Sequence, residues 1–132
     1  MNVCAIAPTA VTKTGPGRPC ILCVDDSEEI RLICQTVLEA DGCKVITAGS
    51  GATALELLRT RNIDAVVIDN VMPGMSGVVL AQEIKRVSSE LPVILFSSLE
   101  RPDEIATFID SYLSKGQGPL ALRKIIRLLL HK

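Results

Sequence analysis

Residues 64–77 read Asp-Ala-Val-Val-Ile-Asp-Asn-Val-Met-Pro-Gly-Met-Ser-Gly. The unbroken apolar middle between Asp64 and Asp69 predicts a strand over 64–69 that is buried on both faces, as the centre of a parallel sheet is. Pro73, Gly74 and Gly77 then mark a loop. Over 78–87 the pattern changes to a helical one, with Leu80, Ala81, Ile84 and Val87 on the inward stripe.

The same strand, turn and helix recur on either side. Upstream, Cys20–Val24 is an apolar run that breaks into Asp25-Asp26-Ser27. Ile30, Ile33, Cys34, Val37 and Leu38 follow at helical spacing, with Ser27 as N-cap, Glu28 and Glu29 in the first turn, and Gly42 as the stop. Lys44–Ala48 is a second strand, and Ser50 caps a helix carrying Ala54, Leu55, Leu57 and Leu58. Downstream, 92–96 is a fourth strand ending in Ser97-Ser98. A short helix is expected after Pro102, with Ile105, Phe108 and Ile109 inward. Ser111–Ser114 forms a fifth strand and 119–130 a last amphipathic helix. Pro102 and Pro119 both suit first-turn positions. Five such units give an α/β fold with helices on both faces of a parallel sheet. Residues 1–18 mix Pro, Gly, Thr and Lys without apolar periodicity and are expected to be a flexible arm, leaving 19–132 as one domain.

Bulk properties narrow the function. The chain has 132 residues, the size of one domain. With 14 Lys plus Arg against 15 Asp plus Glu it carries no field that would draw nucleic acid or an anionic membrane. Two Phe, one Tyr and no Trp leave little for base stacking. The five cysteines show no disulfide or zinc spacing, since Cys20 and Cys23 flank a strand interior and His131 stands alone. They read as small buried thiols. No run reaches the roughly 20 apolar residues of a membrane span, and the start does not resemble a signal peptide, so a cytoplasmic location is expected.

In an open parallel sheet, ligands bind beyond the carboxyl ends of the strands. There the first strand ends in Asp25 and Asp26, the third in Asp69 and the fourth in Ser97, while the fifth runs into Lys115. Acids at strand exits ordinarily cap helices, but Lys115 would be unfavourable beside a helix N-terminus. Two carboxylates about 4 Å apart repel by roughly 4 kcal/mol at an effective dielectric near 20, so three of them call for a hard cation or a raised pKa. Oxygen ligands suit Mg2+, which completes its shell with water and phosphate oxygens. A carboxylate can also attack phosphorus and form an aspartyl phosphate.

These residues resemble the receiver domain of bacterial two-component response regulators. The stretch ILCVDDSEEIR is similar to that family's first strand with its acidic pair, VVIDNVMPGMSG to its phosphoacceptor strand and loop, VILFSSLE to its hydroxyl strand, and SYLSKG to its lysine strand. The resemblance implies a doubly wound, flavodoxin-like (CheY-like) sheet of five parallel strands in the order 2-1-3-4-5. It implies Asp69 as phosphoacceptor, with Ser97 and Lys115 on the phosphoryl oxygens. Mg2+ would be held by Asp26 and Asp69 and by the backbone carbonyl of Val71, while Asp25 would bind through water or help hold the site. Tyr112 would be an aromatic switch, or else a strand tyrosine packed on the last helix. The sequence departs from the family in placing Gly116, not proline, after the lysine, and in a short segment over 99–110.

The function so implied is a stand-alone phosphoacceptor switch, not an enzyme in the ordinary sense. A sensor histidine kinase or histidine phosphotransfer protein would donate to Asp69. A downstream protein would read the change, and the chain would be a monomer or weak homodimer with no output domain. Three other readings remain. A phosphatase would want a second acid where Val71 stands. A flavin or nucleotide binder would want a phosphate loop where Asp25 and Asp26 stand. A phosphorylation-independent docking module would keep only the fold.

Overall fold

The computed structural model describes residues 17–98 and 109–130. The expected arm thus lies outside the described residues except for Gly17 and Arg18, as does the helix expected after Pro102 except for Ile109.

Strands β1 (Cys20–Val24), β2 (Lys44–Ala48), β3 (Ala65–Ile68), β4 (Val93–Ser97) and β5 (Ser111–Ser114) form one sheet in the order β2-β1-β3-β4-β5. Every pairing is parallel, with Val24 opposite both Ala48 and Ile68, and Ser97 opposite Ser114. All polar strand exits therefore fall on one edge, as expected. Helices α1 (Glu28–Ala40), α2 (Gly51–Thr60), α3 (Gly77–Val87) and α4 (Leu120–Leu130) cover the sheet.

Alternation along the strands divides the interior into two cores. Ile21, Cys23, Ala65, Val67, Ile94, Phe96 and Leu113 face α1 and α4, where they meet Cys34, Leu38, Leu122 and Ile126. Leu22, Val24, Val66, Ile68, Val93 and Leu95 face the other way, against Ala54, Leu80, Ala81 and Ile84 of α2 and α3. Both faces of β1, β3 and β4 are buried, which is why these strands read as apolar runs. Ser27 and Ser50 cap their helices as predicted, accepting from the N–H groups of Ile30 and Thr53. On the α1 and α4 side, Asp41 accepts from Arg127 and pairs with Arg123, joining the end of α1 to α4.

Three details differ from the sequence reading. The third strand stops short of its flanking acids because each acid has other work: Asp64 turns its carboxylate onto the Cys20 N–H at 2.7 Å, while Asp69 begins the loop. Val87, expected inward, is 74% exposed, since it is the last residue before the Ser88 cap and no further turn covers it. Tyr112 packs with the α2 and α3 core, not against α4, because Leu113 takes the α4 side of β5 and alternation turns Tyr112 away.

Candidate functional site

The β1 exit is held from four directions. The Asp25 N–H donates to the Ala48 carbonyl of the neighbouring strand at 3.1 Å. One carboxylate oxygen of Asp25 accepts the Ser27 N–H at 2.9 Å, and the Asp25 carbonyl accepts from Arg31 Nη1 at 2.7 Å. The other carboxylate oxygen takes Lys115 Nζ at 2.8 Å. Asp25 is buried and almost wholly engaged, while Asp26 beside it is exposed.

The β3 exit brings Asp69 to the same rim, its N–H donating to the Val24 carbonyl at 2.9 Å. The following loop folds back on Asn70, whose carbonyl accepts from the Gly77 N–H at 2.9 Å and whose side-chain oxygen accepts from Val78 at 3.3 Å. This closure presses α3 onto the strand end. A Cβ on Gly77 would lie 2.4 Å from the Asp69 carbonyl oxygen, so only glycine fits there. The Val71 side chain is exposed, while its backbone beside the Asp69 carboxyl acts to lower that group's pKa.

From the other side, Lys115 Nζ lies 3.3 Å from Asp69 Oδ1 and 5.9 Å from the centroid of the Phe96 ring. Ser97 is fully buried at the end of β4, opposite Ser114, the residue before the lysine. Burial and then the charge of Asp25 push the Asp69 carboxyl above its ordinary range, against the pull of Lys115. Burial works to lower the Lys115 ammonium, but its hydrogen bond to Asp25 and the charges of both acids outweigh that and raise it. Carboxylate oxygens of Asp25, Asp26 and Asp69 lie within 4.8 Å of one another. Three hard oxygen donors at that spacing, sharing a single ammonium that pairs with Asp25 at 2.8 Å and Asp69 at 3.3 Å, fit a divalent cation.

A family model described as the response regulator receiver domain matches residues 21–127. The chain belongs to that family. Among curated relatives of this receiver, response regulator SaeR of Staphylococcus aureus is 37% identical over 106 residues, 77% of this chain and 46% of SaeR. A probable transcriptional regulator, ycf27 of Cyanidium caldarium, is 34% identical over 116 residues, 85% of this chain and 46% of that protein. The receiver thus spans under half the length of these relatives. Among solved structures, response regulator TrrA of Thermotoga maritima, in complex with Mg2+ and a beryllium fluoride, is 32% identical with a TM-score of 0.80, covering 85% of this chain and 99% of TrrA. TrrA has also been solved in complex with histidine kinase ThkA, in a structure that superposes with a TM-score of 0.78 at 30% identity and covers 85% of this chain and 98% of that one.

Asp25, Asp26, Asp69 and Lys115, singled out from the sequence, meet in the receiver's pocket, and Ser97 stands on the same edge of the sheet. Tyr112 lies on β5 over the α2 and α3 core. Lys115 does begin a helical turn, a 3-10 turn over Lys115–Gln117, contrary to the expectation that a lysine would avoid such a place. The turn is a single one, so little dipole opposes the ammonium. Arg31 was not singled out from the sequence. Its signal is a basic residue early in α1, where the helix dipole disfavours it unless a local acceptor such as the Asp25 carbonyl holds it.

Proposed function

We propose that this receiver accepts a phosphoryl group on Asp69 from a phosphohistidine, carried by a sensor histidine kinase or a histidine phosphotransfer protein. The observation that carries this reading is the Asp69 carboxylate, buried at 6% exposure with Lys115 Nζ at 3.3 Å and two further carboxylates within 4.8 Å. The Asp69 oxygen supplies the electron pair of the new O–P bond. The donor's P–N bond breaks with its pair going to the imidazole nitrogen.

Mg2+, held by Asp26, Asp69 and the Val71 carbonyl with Asp25 in support, would offset charge on the transferring oxygens. The residues of the chain do the rest. Asp25 fixes Lys115, Lys115 neutralises charge beside Asp69, and the Ser97 hydroxyl donates to a phosphoryl oxygen. Phosphorylation replaces one carboxylate charge by about two and gives Lys115 and Ser97 a new acceptor. Tyr112 on β5, the strand beside Ser97, then follows the β4 end, and a downstream protein reads the altered surface. The output is a protein contact, made by a monomer or weak homodimer in the cytoplasm.

Among the described residues no helix is long and apolar enough to cross a membrane. The turn at Gly116 is closed by hydrogen bonds at 3.1 Å, which favours the phosphoacceptor reading over docking alone, because the lysine keeps a fixed base without a proline after it. Incubation with a small acyl phosphate and Mg2+, followed by intact-mass measurement, should add one phosphoryl group. That addition should vanish in Asp69→Ala. No addition to the wild-type chain under any donor would leave docking as the function.

A further inference from the structure

Lys115 must reach two aspartates from a backbone that continues into glycine, the residue least able to hold its own conformation. A lysine stem has several rotatable bonds, so drift at its Cα spreads the ammonium over many positions. The chain meets this with a closed ring of hydrogen bonds. Ser114 Oγ accepts from the Gly116 N–H at 3.1 Å, and the Ser114 N–H donates to Gln117 Oε1 at 3.1 Å. The Gly118 N–H then closes the turn on the Lys115 carbonyl at 3.1 Å, with Gly118 at φ 91. Ser114 is paired across the sheet with Ser97. The turn that carries the lysine is thereby fastened to the strand end that carries the hydroxyl.

We propose that Ser114 and Gln117 are positioning residues for Lys115, holding the turn from which its ammonium meets a phosphoryl group on Asp69. The proposal deepens the phosphoacceptor reading and rests on it. In the unmodified state Asp25 and Asp69 already anchor the ammonium, so the ring matters most when the acceptor moves outward onto the phosphoryl oxygens. Neither side chain reaches the acids that would hold Mg2+. Its loss should therefore weaken phosphoryl recognition and spare cation binding.

The test measures two affinities by calorimetry on the full chain: Mg2+ alone, and beryllium fluoride, a phosphoryl mimic, at saturating Mg2+. Ser114→Ala and Gln117→Ala should bind beryllium fluoride roughly tenfold more weakly, the scale at which supporting residues act on a contact group, with Mg2+ affinity unchanged. Ser114→Thr keeps the hydroxyl and should restore wild-type binding. Gly116→Ala keeps the N–H, and its Cβ would meet only Ser114 Oγ, at 3.4 Å, so it should bind as wild type. Thermal unfolding of each variant accompanies the titrations. Equal weakening toward both ligands that follows a lower Tm would overturn the proposal, as would Ala variants that bind beryllium fluoride like wild type. Failure of the wild-type chain itself to bind beryllium fluoride would overturn the phosphoacceptor reading and this proposal together.

Discussion

Asp69 is placed where its charge costs the fold something. Burial and Asp25 raise its carboxyl pKa above the unfolded value, so between the two values the folded state binds more protons than the unfolded one. Stability therefore falls as pH rises through that window and stays lower above it. Asp69→Asn removes the cost. In metal-free buffer at pH 7 it should be more stable than wild type by on the order of 1 kcal/mol, with the gap closing as pH drops below the carboxylate range. Thermal unfolding at a series of pH values checks this, and an Asn variant no more stable than wild type at pH 7 refutes it. Adding Mg2+ should reverse the ranking, because only the native aspartate gains a bound cation. At this scale the acids, Ser97 and Lys115 were legible in the sequence because each stands at the end of an expected strand. Arg31, Ser114 and Gln117 were not, since their roles lie in hydrogen bonds to or from the backbone that exist only once the turns are built.

Among the elements, the loop from β3 to α3 is the least tolerant. Methyl substitution at Gly77 meets the Asp69 carbonyl oxygen at 2.4 Å and the Asn70 Cα at 2.8 Å, all backbone that cannot swing aside. Gly77→Ala should lower stability in urea by roughly 3 kcal/mol and displace Asp69 along with the loop. A wild-type midpoint would show that the loop yields more easily than its contacts imply. The same loop lays Met75 on the start of α2, where a Cβ on Gly51 would come 2.7 Å from the Met75 sulfur. Strand and helix existence was readable from apolar period and caps. Ends were less so: Asp64 looked like strand but spends its carboxylate on Cys20, and Val87 fitted the inward stripe but ran out of helix to cover it.

Across the whole molecule, the parallel sheet follows from the alternating pattern, but the strand order came only from the likeness of four motifs to a known family, because periodicity does not say which strands are neighbours. The cysteines show how thoroughly the core under α1 and α4 is closed. Cys20, Cys23, Cys34 and Cys43 are free and buried, and burial pushes the Cys43 thiol up to about 11. In a Cys4→Ser variant at neutral pH, a thiol-reactive dye should label the native protein far more slowly than the denaturant-unfolded one, at a rate set by opening of the fold. Immediate labelling of the native form would contradict the packing. The ion pair between Asp25 and Lys115 joins residues 90 positions apart. A ribosome must therefore make all five strands before the acid pair meets its ammonium, so a nascent chain halted ahead of Lys115 holds its acids without that counter-charge.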